Sequence, residues 1–201
     1  MTFTRRRLLG GRAAPWVVAC LAGSLLGCAR HAAVSPASQE RSAPRILPLP
    51  RVIVLETAGP PPADTSVSFT AGTRRTIVLR HGPPENIMFA SLIFPANAFA
   101  DSGQTVTVEV RPRPGVYGLD LFTTLPLRVG ATLEFSYARY FSAPARARQV
   151  YKTDVAYERA LAIGRILPDN QIELLSSSRP ATDHLSATVP AAGSYLMAAP
   201  Q

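Results

Sequence analysis

Residues Gln104–Arg111 read QTVTVEVR. Val106, Val108 and Val110 fall on one side of an extended chain, with Thr105, Thr107, Glu109 and Arg111 on the other. That period of two is what a strand shows when one face meets a core and the other meets solvent. The alternation recurs in TLEFSYA, which directs Leu133, Phe135 and Tyr137 inward, and in HLSATV, which does the same with Leu185, Ala187 and Val189. Ile87–Phe94, IMFASLIF, is apolar in both registers and fits a central strand. Further strands are expected over Arg51–Glu56, Ser66–Thr70, Thr76–Arg80, Tyr117–Thr123, Gln171–Ser176 and Ser194–Ala198. The segments GPPPAD, HGPPEN, ADSG, RPRPG and LPDN supply the turns between them.

The segment VAYERALAIGRIL is open to two readings. A helix would gather Val155, Leu161 and Ile166 loosely on one side, but Gly164 costs a helix about 1 kcal/mol and Pro168 stops it. The preferred reading makes Tyr157–Leu167 a strand that turns at Pro168–Asn170 into the next. Nine or more strands without a convincing helix then point to an all-β fold, a single antiparallel β-sandwich over residues 51–201 with one core.

Ahead of that domain the chain has three parts: Arg5–Arg7, an apolar stretch from Ala13 to Leu26, and Gly27 before Cys28. Basic, apolar and small-residue regions in that order are the pattern of an export signal, residues 1–27. The 14-residue apolar stretch is shorter than the ~20 residues a spanning helix needs. Residues 28–50, rich in Ala, Ser, Pro and Arg and without apolar periodicity, are expected to be a flexible linker.

The run LLGC, Leu25–Cys28, resembles the lipobox of bacterial lipoproteins. The resemblance implies cleavage between Gly27 and Cys28, with a diacylglyceryl group on the Cys28 sulfur and an acyl chain such as palmitate on its amine. Each buried methylene is worth roughly 0.8 kcal/mol, so two or three chains anchor firmly where one binds only marginally. The implied partner is a lipid bilayer and the implied location the bacterial cell envelope. Ala29 stands where an inner-membrane-retained lipoprotein has aspartate, so the expected site is the outer membrane, facing the periplasm or the surface. TRRRLL, Thr4–Leu9, resembles a twin-arginine export motif. With 20 arginines and one lysine in the chain, any basic cluster would be arginine, and a general secretory signal fits equally.

Residues 1–27 hold four arginines and no carboxylate, so the remaining chain carries 17 basic and 13 acidic residues rather than the 21 and 13 of the whole. With neither a basic patch interleaved with aromatics nor a recognised motif, nucleic acid is not an expected partner. Cys20 lies within the signal, so the folded part has no thiolate nucleophile, disulfide or cysteine ligand.

The segment LIFPANAFADSGQTVTVEVRP resembles the hallmark of ZU-five-like domains, with Pro95, Ala98 and Phe99 at the turn after a strand and a valine–threonine strand following. LPLRVGATLEFSYARY and IELLSSSRPATDHLSATVPAAGSYLMAA resemble later stretches of that domain, so the resemblance runs over Thr76–Ala199. It implies a β-sandwich of the kind carried by many bacterial surface lipoproteins. Some members cleave themselves at a histidine–phenylalanine–serine step; here that place reads Ala192, Gly193, Ser194, which leaves the serine without a histidine base, and self-cleavage is not expected.

Catalytic chemistry has few candidates. His81 and Glu85 in HGPPE flank two prolines and lack a second ligand pair, so a solvent-exposed turn is expected rather than a metal site. Asp183 and His184 with a distant serine are formally triad components, but no nucleophile elbow occurs and adjacent strand residues point to opposite faces. In YARYF, Tyr137 is expected in the core, with Tyr140 and Phe141 covering the strand's end rather than forming a sugar-stacking platform. No cofactor or metal is expected. The preferred function is a non-enzymatic module binding an envelope protein or glycan through the turns HGPPEN and RPRPGVYG, that is through His81, Glu85, Arg111, Arg113 and Tyr117. The alternative is a periplasmic metal-dependent or serine hydrolase whose residues meet only on folding.

Overall fold

The computed structural model describes residues 45–201. Gly27, Cys28 and the rest of the signal and linker before Arg45 lie outside the described residues. In chain order the strands are β1 (Arg45–Pro48), β2 (Val52–Val54), β3 (Glu56–Thr57), β4 (Thr65–Thr70), β5 (Arg75–Arg80), β6 (Met88–Phe94), β7 (Thr105–Pro112), β8 (Gly118–Thr123) and β9 (Ala131–Ser136). There follow β10 (Phe141–Ser142), the helices α1 (Ala145–Tyr151) and α2 (Asp154–Ala160), and β11 (Ala162–Leu167), β12 (Gln171–Leu174), β13 (Ser177–Ser178), β14 (His184–Val189) and β15 (Gly193–Pro200).

These form an all-β sandwich of two large antiparallel sheets, with β3 and β10 paired as a separate two-stranded sheet. One has the order β1-β12-β11-β15-β8-β7-β4, with β2 also pairing β15; the other has the order β13-β14-β9-β6-β5. Strand β7 behaves as its alternation requires: Val106, Val108 and Val110 are fully buried, while Ser68 and Thr107 share a 2.8 Å hydroxyl contact on the outer face. From the facing sheet Leu92, Phe94, Leu133, Phe135, Leu185 and Val189 close the same core. β6 lies between β5 and β9, which explains its apolar character on both faces, and even its outward Ser91 is buried. The turn after β6 is closed by Ala98 N–H donating to the Pro95 carbonyl at 2.9 Å, with Phe99 packed inward.

The domain begins earlier than its composition suggests. Arg45–Pro48, inside the stretch expected to be linker, pairs with β12 from Arg45↔Leu174 to Pro48↔Gln171. Its one proline, Pro48, is tolerated because β1 is an edge strand and Pro48 is its last residue. The arch from β1 to β2 covers a second, smaller core of Val52, Ile172, Leu174 and Ala198, packed by Leu47, Leu49, Val54 and Ala162.

Residues Tyr157–Leu167 are not one strand. Helix α2 runs to Ala160 and β11 starts at Ala162, so Gly164 belongs to the strand and never burdens the helix. The Thr153 hydroxyl accepts from Ala156 N–H at 3.1 Å, a side-chain cap that the threonine followed by Asp154 already signals. α1 and α2 form a hairpin turned at Lys152, whose φ of 66° is left-handed. Ala147 and Tyr157 are its buried contacts, and the Tyr157 hydroxyl donates to the Ile53 carbonyl at 3.3 Å. Among the described residues no helix is long and apolar enough to cross a membrane.

Candidate functional site

His81 is not in a solvent-exposed turn. It is 1% exposed, and its ring meets Tyr140, Phe89 and Tyr117 edge-on at centroid distances of 4.8, 5.2 and 6.4 Å. Its Nδ1 lies 2.8 Å from the Pro60 carbonyl oxygen. A carbonyl only accepts, so Nδ1 carries the proton and donates. The turn is polar by composition but lies against the GPPPAD segment, whose Gly59 leaves room for the Tyr140 ring: a Cβ there would sit 2.5 Å from a ring carbon.

Tyr117 is likewise fully buried, so it is no contact residue. It stacks on Phe89 at 5.5 Å and donates to the Tyr137 carbonyl at 3.2 Å, and burial pushes its phenol up to about 12. The alternation of β8 starts one residue after it, and Tyr117 takes its inward place by donating its N–H to the Leu55 carbonyl. The remaining loop candidates stay at the surface beside opposite charges. Glu85 faces Arg139 at 3.7 Å, Arg111 holds Glu109 at 2.6 Å and covers the Phe122 ring at 5.1 Å, and Arg113 lies 3.8 Å from Asp120. The turns HGPPEN and RPRPGVYG thus meet, but through buried rings rather than through a shared exposed face.

A group of titratable side chains gathers at the start of β14. His184 Nδ1 is 2.7 Å from Glu134 Oε1, and its Nε2 is 3.8 Å from Asp183 Oδ1. Asp183 and His184 therefore do not diverge: Asp183 is in the turn before β14, where strand alternation has not begun. Next to this pair the Tyr137 hydroxyl donates to Glu158 Oε1 at 2.9 Å, with Arg179 Nη1 at 3.4 Å from the same hydroxyl; burial first, then Glu158, raises this phenol to about 12. A second Arg179 nitrogen donates to the carbonyls of Glu158 and Leu161 at the end of α2.

A carboxylate beside an imidazole, as Glu134 stands beside His184, is an arrangement that a general base would need, but a nucleophile must complete it. Across β9, Ser136 is the register partner of His184, yet among the described residues no hydroxyl hydrogen-bonds its ring. No hydrogen bond or ion pair among them joins His81, Glu85 and His184, and no three His, Cys, Asp or Glu side chains gather as metal ligands. Glu134 was missed from sequence because only the β9–β14 register brings it diagonally beside His184. Ser194, expected without a base, has a carboxylate partner: it donates to Asp120 Oδ1 at 2.5 Å across the β8–β15 pair.

No family model, curated protein or solved structure matches the chain.

Proposed function

We propose that the protein is a lipid-anchored envelope lipoprotein whose β-sandwich is a non-enzymatic binding or structural module. The observation that carries this is the run LLGC at the end of the apolar stretch Ala13–Leu26, with Cys28 as the acylated residue. A ZU-five-like sandwich in the outer membrane remains the proposed family and place, supported by the turn at Pro95–Phe99 between two core strands.

The hydrolase alternative rests on one observation, the 2.7 Å contact of Glu134 with His184. The two readings separate in one assay of the full chain against ester, peptide and phosphate-ester substrates, with and without divalent metal. The module reading expects no turnover; turnover abolished by His184→Ala would replace it with the hydrolase.

A further inference from the structure

Strand β4, Thr65–Thr70, ends the larger sheet and pairs with β7 alone. Thr107 of β7 turns both of its backbone groups toward β8: its N–H donates to the Thr124 hydroxyl at 2.9 Å, and its carbonyl accepts the Thr124 N–H at 3.0 Å. Val106 and Val108 therefore bond to Phe69 and Val67. The alternation of an antiparallel ladder then leaves the N–H and C=O of Ser66, Ser68 and Thr70 aimed at the free edge. Of these groups, the Thr70 carbonyl takes the Thr73 hydroxyl at 3.3 Å.

The other ends of the two large sheets are blunted in ways that discourage strand addition. β5 carries Arg75 and Arg80 at its ends and a register shift between Leu79 and Arg80. β1 carries Arg45 and Pro48, and β13 has only two residues. β4 reads TSVSFT, six residues without a charge, a proline or a register shift. Its inward Val67 and Phe69 are only half-buried, although the Phe69 ring reaches those of Phe94 and Phe99 at 6.1 Å. Both the backbone of this edge and its apolar face thus lack a neighbour.

We propose that β4 pairs antiparallel with β4 of a second copy of this chain, joining two larger sheets edge to edge about a two-fold axis at Ser68. That register sets Ser68 opposite Ser68 and Ser66 opposite Thr70, so the outward N–H and C=O groups of each copy meet those of the other. On the inward face Val67 of each copy falls opposite Phe69 of the other, a β-branched side chain against an aromatic one, and no charge on the strand meets itself. Charge also selects a second copy over an unrelated strand. Exposed Asp64 precedes β4 and exposed Arg74 follows it, so the antiparallel arrangement carries the acidic end of one copy to the basic end of the other. Asp64 falls opposite Gly72 of the second copy, two residues from its Arg74. Arg111, which continues the β4–β7 register opposite Asp64, is already held by Glu109 at 2.6 Å. The pairing needs no anchor at Cys28 and stands apart from the lipoprotein reading.

The test is sedimentation of the full chain in detergent, with micelles in large excess over protein, across a range of protein concentrations. The wild type is expected to dimerise reversibly. In Ser68→Pro the lost N–H points away from β7, so no ladder bond within the domain is broken and thermal unfolding should stay near that of the wild type, while dimerisation weakens about tenfold or more. Ser68→Lys and Ser68→Asp should each sediment as monomers and associate when mixed, because position 68 faces itself across the two-fold axis. A monomeric wild-type chain overturns the proposal, including one whose β4 edge holds a different protein that Ser68→Pro releases. A dimer that all three variants leave intact, or a Lys–Asp mixture that associates no better than either parent, overturns it as well. If Ser68→Pro proves misfolded, the charge-swapped pair decides.

Discussion

His81 Nδ1 donates to the Pro60 carbonyl at 2.8 Å, joining two proline-rich turns through one buried imidazole. His81→Ala should remove three edge-on ring contacts and leave that carbonyl without its partner, a loss of about 3 kcal/mol. His81→Phe keeps the packing and loses the bond, at about 1 kcal/mol. Urea denaturation of the two variants checks the ranking; equal midpoints would show that the hydrogen bond, not the ring, carries the site.

Val108 and Thr107 are neighbours on β7 with opposite fates. Val108→Asp would bury an unpaired charge between β4 and β8 and should cost roughly 4 kcal/mol or more. Thr107→Asp replaces an outward hydroxyl that touches Ser68 and should cost under about 1 kcal/mol. Similar thermal shifts for the two would contradict the register of this strand.

Gly118 opens β8 where β15 crosses closely. A Cβ there would lie 2.8 Å from the Tyr195 carbonyl oxygen and closer still to a Leu196 methyl, and the backbone atom cannot step aside as the methyl can. Gly118→Ala is therefore expected to destabilise by about 1–3 kcal/mol through overpacking. Gly103→Ala, with nothing within 4 Å but a φ of +95°, should cost about 1 kcal/mol through backbone strain alone.

The strict alternation of β7, β9 and β14 was legible because each inward position carries an aliphatic or aromatic residue and each outward one a polar group. The helices were not. In Val155–Leu167 the apolar residues suit either period, and what decides for α2 is the Thr153 cap together with the burial of Tyr157 against Ile53, a contact across 104 residues. β1 was hidden by its Pro48, which the end of an edge strand accepts, and by the prolines on either side of it. His81 was hidden by its turn: local chemistry correctly marks Gly82–Asn86 as a turn but says nothing about the Pro60 segment that covers it. The Glu134–His184 contact exists only through strand register.

Alkaline pH should loosen the core. Tyr117 and Tyr137 are raised from 10 to about 12, chiefly by burial, so the unfolded chain releases these protons before the folded one does. Their contribution to stability is complete below pH 10 and is lost as pH rises toward about 12. Each buried phenol removes at most about 1.4 kcal/mol for every pH step in that window, and less where solvent reaches the hydroxyl. Denaturation midpoints between pH 8 and pH 12 check this; Tyr117→Phe should flatten the slope, and an unchanged slope would mean that other groups govern it.

Acylation at Cys28 is measured most directly by intact-mass spectrometry of the protein extracted from membranes, beside its Cys28→Ala variant. The account predicts a chain beginning at Cys28 and heavier by a diacylglyceryl group and an acyl chain, and a variant that keeps residues 1–27 and carries no lipid. A wild-type chain cut elsewhere or bearing no acyl mass, or a variant processed and membrane-bound like the wild type, would contradict it.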